Sequence, residues 1–251
     1  MQKKIDHLFT QINAIEKRID AVPALLTRLH QSILNTAMCG LLTKEWRTND
    51  TGILTKTVSD LKTISPVIFE SGDNHALPAG WAWTLLTDIA KLESGHTPRK
   101  SVPSYWNNGD IPWISLQDIR AADGQVIFQT KQMPTQLGID KSSARVLPTG
   151  TVCLARDISV GYVTIMGKPM ATSQHFANWV CDKNLLPEYL MLALKASRNN
   201  LTMSGQGTTV KTIYMPALKQ LKIALPRLKN KKKSFAEQLN CLFVLTLLRQ
   251  I

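Results

Sequence analysis

Three short stretches of this chain combine cationic, amide and hydroxyl side chains in turn-like contexts. Residues 94–101 hold His96, Thr97, Arg99 and Lys100. Arg156 follows an apolar run at 151–155, and Gln174 sits in a polar turn at 172–175. Residues 204–211 are a Gly/Thr loop with Gln206, Thr208, Thr209 and Lys211. Such donors suit recognition of a ligand rather than bond-breaking. Arg can grip guanine by two bonds and Gln can grip adenine by two, while donors on loops reach phosphate oxygens. Glycines let backbone amides approach a phosphate closely. Each stretch also fits a plainer role: a solvated turn at 94–101, a turn held by the Gln174 side chain, and an ordinary loop at 204–211.

The chemistry that is missing narrows the field. The sequence contains no Asn/Asp-Pro-Pro-Tyr/Phe motif and no Gly-rich strand-to-helix turn for S-adenosylmethionine. Gly161 and Gly167-Lys168 are one residue too far apart for a phosphate-binding loop, and Pro169 stands where Ser or Thr would hold magnesium. No His, Asp or Glu cluster has metal-ligand spacing. The four cysteines, Cys39, Cys153, Cys181 and Cys241, are far apart and form no Cys-x-x-Cys, which argues against zinc and disulfides and fits a reducing cytoplasm. The expectation is a chain with no catalytic residue, no cofactor and no metal of its own.

The formal net charge is +12. Residues 1–77 hold 9 Lys/Arg against 8 Asp/Glu, residues 78–226 hold 15 against 9, and residues 227–251 hold 6 against 1. The surplus therefore lies in the second half. It suits a polyanion, whose binding would weaken with salt through counterion release; solubility and a basic tail explain it equally well. No signal-peptide core opens the chain, and the longest apolar run, near 239–248, is too short to cross a bilayer.

The elements that position these residues begin with a helix. Ile5, Leu8, Ile12, Ile15, Ile19, Val22, Leu26, Leu29 and Ile33 recur in alternating steps of three and four. This is a heptad seam on one stripe of a helix over residues 3–39, with Gly40 as its stop. The helix would be on the order of 55 Å long, more than a small domain can cover, so its stripe needs another helix. An ordinary amphipathic helix packed on its own domain is the plainer alternative. Pro23 lacks an N–H and crowds the carbonyl of Ile19, so a kink or break is expected there. Residues 48–77 read as a linker, with a short strand possible at 64–70. Residues 78–226 carry strand-like runs at 81–86, 113–115, 126–128, 151–155, 161–165 and 176–180, a firm helix at 187–196 and a short helix at 215–221. This is an α+β pattern, not a regular βαβ alternation. Trp81, Trp83, Trp106, Trp113 and Trp179 read as core or turn packing.

The landmarks Leu77-Pro78-x-Gly80-Trp81, Ser94-Gly95-His96-Thr97-Pro98, Tyr105-Trp106 and Gly109-Asp110-Ile111-Pro112-Trp113-Ile114 together resemble the start of a target recognition domain. Such domains belong to the specificity (S) subunit of type I restriction-modification enzymes. The resemblance extends through Leu147-Pro148-x-Gly150, the Gln174 turn and the 204–211 loop to Leu225-Pro226. It reaches upstream through Gln31-Ser32-Ile33-Leu34 to Gly40-Leu41-Leu42-Thr43 and Trp46-Arg47, which resemble the spacer helix that follows such a domain. It implies a long coiled-coil-type spacer helix (1–47), a linker (48–77) and a mixed α/β target recognition domain (78–226). It further implies reading of one half of a bipartite site in double-stranded DNA. The helix would recruit methyltransferase (M) subunits and, through the complex, restriction (R) subunits, which carry S-adenosylmethionine, ATP and magnesium. DNA contacts are expected from His96, Arg99, Lys100, Arg156, Gln174, Gln206, Thr208, Thr209 and Lys211.

After Pro226 the motifs end, and residues 227–251 form an atypical basic and apolar tail. A frameshift in the codons of Lys231–Lys233 would explain it, and the gene sequence tests that idea; a native tail that aids a partner is the alternative. The chain resembles the second half of a two-domain subunit, so a homodimer or a second specificity half is the expected companion, and an inactive remnant is another reading. Two other classes stand beside this one. A repressor lacks a helix-turn-helix signal. A coiled-coil adaptor with a protein-binding basic domain would keep its partner after loss of Arg99, Lys100 and Arg156.

Overall fold

The structure, a computed structural model, describes residues 2–38, 65–69, 77, 80–207 and 211–226; in the first helix it describes the side chains of 7, 10–29 and 31–38. Gly40, Trp46, Arg47, Thr208, Thr209 and the 227–251 tail lie outside the described residues, as do the side chains of Ile5 and Leu8.

Helix α1 spans Gln2–Met38, 37 residues, and contains Pro23. Of the kink or break expected at Pro23, the break does not occur: the helix runs on through it. The missing N–H removes one bond to the carbonyl of Ile19, but the residues that follow, Ala24, Leu25 and Leu26, are good helix formers. The Thr27 hydroxyl donates to Pro23 O at 2.9 Å. The stripe meets two environments. Ile12, Ile15, Ile19, Val22, Leu26 and Leu29 are exposed, whereas Ile33 and Leu34 are half-buried on the main core and Ala37 and Met38 lie within it. The seam is therefore not reserved wholly for another helix; its last turns belong to the chain's own fold.

A three-stranded sheet contributes to the same core as that end of α1. It has the order β1 (Val67–Phe69), β10 (Leu221–Pro226), β2 (Trp81–Leu85), antiparallel throughout, with Val67 opposite Ile223 and Thr84 opposite Ile223 from the other side. β1 falls inside the stretch read as linker. Because it pairs with β10, and because Ser65 is buried and donates to Val67 O at 2.7 Å, the folded unit begins at least at Ser65, ahead of residue 78.

The second sheet has the order β3 (Ala90–Ser94), β9 (Phe176–Cys181), β6 (Val152–Ala155), β7 (Val163–Met166), β5 (Val126–Ile127). Only the β5–β7 pair is parallel. Its central strands are buried on both faces, which is why they read as continuous apolar runs. Along β6, Val152 and Leu154 face the main core while Cys153 and Ala155 face a second cluster with Ile114, Met166 and Phe176. Helix α4 (Pro187–Ala196), opened by Pro187 in its first turn, packs between this sheet and α1. The buried Tyr189 hydroxyl is 2.9 Å from Met38 O and 2.8 Å from Ala224 O, tying α1, α4 and β10 together.

Residues 90–94 are rich in Ala, Lys, Leu and Glu, which favour helix. They form β3, because pairing with β9 from Ala90–Cys181 to Ser94–Ala177 outweighs local propensity. The expected helix at 215–221 is shorter. Helix α6 (Met215–Leu218) ends early and Leu221 starts β10. Three short helices add to the expected one: α2 (Leu116–Ala121), α3 (Gln136–Asp140) and α5 (Arg198–Ser204). A small parallel pair, β4 (Trp113–Ile114) with β8 (Ala171–Thr172), joins the first landmark region to the turn that carries Gln174.

Candidate nucleic-acid interface

A cleft of about 400 Å³ opens where three segments meet. The loop after β3 supplies Thr97 and Lys100. The junction of β4 with α2, and the segment facing it, supply Trp113, Ser115, Leu116, Gln117, Lys131 and Gln132. The turn between β8 and β9 supplies Ser173, Gln174 and His175. Among the described residues no carboxylate lines it, and two of the eleven lining residues are lysines, so its field favours an anionic or acceptor-rich ligand.

The loop after β3 is strapped to the β8–β9 turn. His96 N donates to Thr172 O at 2.9 Å, and the Thr97 hydroxyl donates to Gln174 Oε1. Gly95 sits against Thr172 and Ser173 so closely that a Cβ there would overlap Thr172 Oγ1 and the Ser173 carbonyl. The Gly-x-Thr-Pro landmark is thus a packing element. Trp113 is buried and donates from Nε1 to His96 O at 3.1 Å, which fits the packing role expected of it.

The opposite wall is set by a cap. Ser115 and Asp118 form a capping box at the start of α2. The other carboxylate oxygen of the buried Asp118 accepts from Lys131 N at 3.0 Å, so the same side chain that starts α2 also holds the 130–132 segment. The acid is spent inward, and the side chains of Gln117, Lys131 and Gln132 face the cleft.

The β8–β9 turn is held from below. His175 Nδ1 lies 2.6 Å from Asp157 Oδ1, and Arg156 Nε donates to Gln174 O at 3.2 Å. Arg156 also reaches Ile213 O at 3.5 Å. Ser173 is one of the residues lining the cleft, and its Oγ is buried with no hydrogen-bond partner among the described residues. A buried hydroxyl without a partner is costly to the fold.

The expected contact residues therefore divide. Lys100 and Gln174 line the cleft. His96 and Arg99 are exposed beside it, and His96 contributes its backbone. Arg156 reaches two backbone carbonyls and braces the Gln174 turn; a guanidinium has five donors and two are committed here. Gln206 pairs with Thr212 through both backbone groups, at 2.9 and 2.8 Å, and its side chain is exposed. Ile213 N donates to Arg156 O at 2.7 Å, and Gln206 and the exposed Lys211 are not among the residues that line the cleft. Sequence reasoning missed Gln117, Lys131, Gln132, Ser173 and His175. The Ser115-x-x-Asp118 capping box was a readable signal for α2; nothing in the local sequence marks Gln132, which reaches the cleft through its pairing with Trp113.

Nucleophilic chemistry finds little support in the two described cysteines. Burial pushes the Cys153 thiol far up. Cys181 is pushed up to about 12, by burial first and by Asp182 and Glu188 next. Among the described residues, no three of His, Cys, Asp or Glu are grouped to hold a metal, and no helix is long and apolar enough to cross a membrane.

Residues 78–244 match the family described as the type I restriction modification DNA specificity domain, and the chain belongs to that family. The match runs past Pro226, where the motif resemblance ended. Among curated relatives, the MjaIX specificity subunit of Methanocaldococcus jannaschii is 28% identical over 167 residues, covering 66% of this chain and 38% of that protein. The HindI specificity subunit of Haemophilus influenzae is 30% identical over 120 residues, covering 47% of this chain and 25% of that one. The chain thus spans less than half the length of these relatives. The HsdS subunit of Thermoanaerobacter tengcongensis shares the mixed α/β fold, with a TM-score of 0.53 at 15% identity over 96% of this chain and 51% of that one. A chain from a structural study of complex assembly and conformational transition in the type I R-M system gives 0.55 at 15% identity, over 97% and 53%.

Proposed function

We propose that this chain is a DNA-reading specificity module that catalyses nothing itself. Its cleft takes one half of a bipartite site in double-stranded DNA. The observation that carries this reading is the cleft itself: a member of a DNA specificity family gathers amide, hydroxyl and lysine side chains in a groove that no carboxylate among the described residues lines. Base edges in the major groove present the acceptors and donors that such side chains match, and phosphates supply the salt-dependent remainder.

In this reading the exposed stripe of α1 is the assembly surface. It pairs as a spacer coiled coil with a like helix, from a second copy or from another specificity half, and docks methyltransferase subunits. Restriction subunits join through that complex. S-adenosylmethionine, ATP and magnesium belong to those partners, and the assembly works on DNA in the cytoplasm. The adaptor alternative has no comparable support, since it leaves the cleft without a ligand.

The test is a methylome. The chain is expressed with a methyltransferase subunit of such a system in a host that lacks adenine methylation, and modified adenines are mapped. A symmetric split motif means that two copies use one recognition domain twice. An asymmetric motif means that another chain supplies the second half. No modified motif, with no methyltransferase retained in a pull-down, refutes the reading.

A further inference from the structure

Resting on the DNA-reading function above, we propose that Lys100 and Gln132 form a paired-donor site that recognises a guanine edge in the major groove. The Lys100 ammonium lies 5.8 Å from the ring centre of Trp106 and 5.7 Å from that of Trp113. These two rings meet edge to face at 5.4 Å and 86°. An ammonium held over two indoles is pre-placed, so less side-chain freedom is lost on binding. From there Nζ donates to Gln132 Oε1 at 3.4 Å.

Gln132 is anchored through its main chain as well. Its carbonyl accepts from Trp113 N at 3.3 Å and from the Thr130 hydroxyl at 3.0 Å. With the side-chain carbonyl directed at the ammonium, the amide NH₂ is the group left to offer, and it has no hydrogen-bond partner among the described residues. Two N–H groups of Lys100 are left as well. The pair presents donors side by side at the edge of the cleft.

Guanine is the base that answers this pattern, because it carries two adjacent acceptors, N7 and O6, in the major groove. Adenine places its N6 donor beside N7, where it would face a donor. Thymine pairs one acceptor with a methyl group, and cytosine offers a donor only. Neither Gln132 nor this pairing emerges from the sequence, since 32 residues separate the two side chains.

The experiment selects duplexes from a randomised pool with the full chain, co-expressed with a methyltransferase subunit, and sequences the survivors. The expected result is a fixed guanine at one position. Lys100→Met and Gln132→Leu should each reduce the preference for guanine there by roughly tenfold, leaving other fixed positions alone. A single 7-deazaguanine at that position, which removes N7, should weaken binding of the unaltered chain by a similar factor and should have a smaller effect on one of the two variants, the one that has lost the N7 donor. The inference is overturned if sequence preference appears but no fixed guanine responds to either variant, or if the responding position is adenine, thymine or cytosine. The 7-deazaguanine arm needs no protein variant, so a misfolded variant does not spare the proposal. A pool with no enriched sequence overturns the DNA-reading function itself, and the inference with it.

Discussion

The two ends of α1 carry one heptad pattern and meet opposite surroundings. Toward the outer end Ile15 and Ile19 are 54% and 62% exposed, while at the inner end Ala37 and Met38 are 1% and 0% exposed. The difference is what lies opposite. Near the inner end α4 packs on the helix, and the Tyr189 hydroxyl bridges to the last residue of the helix. Farther out, nothing in the described chain reaches it. Heptad spacing tells which face of a helix is apolar, and leaves open whose surface covers that face.

The largest effect should come from breaking the inner end. Tyr189→Ala removes a buried ring and its bridge between α1, α4 and β10, and should cost about 3–5 kcal/mol in urea unfolding. A loss under 1 kcal/mol would mean that α1 is not docked on the domain.

Next is the brace on the far end of α4. Arg198 Nη2 donates to Asp123 Oδ1 at 2.6 Å, Val163 N donates to the same carboxylate at 3.2 Å, and Lys195 Nζ is 3.6 Å from Oδ2. Burial alone would raise the Asp123 pKa, but the Arg198 hydrogen bond, the Val163 amide and the two cations together hold it below the ordinary value of 3.8. A depressed carboxylate pKa stabilises the fold above its unfolded value and loses that contribution as pH falls through the folded value. Asp123→Asn should therefore cost about 1.5–3 kcal/mol at pH 7, and the gap to the unaltered chain should shrink below about pH 3.8. A gap that stays constant with pH would show that the charge contributes nothing.

At the cleft, Gly95→Ala should cost about 1–3 kcal/mol, because the added carbon has only Thr172 and Ser173 to displace. It should weaken DNA binding beyond what its stability loss explains, since those residues carry the Gln174 turn. A stability loss with unchanged binding would separate the packing landmark from the reading surface.

These elements also show what the sequence could tell. Pro187 at a helix start and the apolar runs at 152–155 and 176–180 were legible, because their local signals agree with their burial. β3 was not, since Ala90–Ser94 is helix-like in propensity and becomes a strand only by pairing with residues nearly ninety positions away. The cleft was half legible. Lys100 and Gln174 stand out as donors in turns, and the packing partners of Gly95 explain why the turn is there. Gln132 and Ser173 gain meaning only from who lies across from them, and Arg156, conspicuous in sequence, also braces the turn through two backbone carbonyls.

The outer stripe gives the smallest effect on the isolated fold and the sharpest test of the comparison. Ile15→Gln with Ile19→Gln removes apolar groups that already face solvent, so unfolding at low protein concentration should change by no more than about 0.5 kcal/mol. The same pair should abolish helix-mediated association, read by sedimentation at high concentration or by retention of a methyltransferase subunit, because a coiled coil cannot bury two adjacent seam amides without leaving them unpaired. A control at Ile33, half-buried on the chain's own core, should reverse the pattern: Ile33→Gln should lower stability and spare association. If the outer pair costs more than about 2 kcal/mol at every concentration, the stripe is covered by the chain itself and α1 is not an assembly surface.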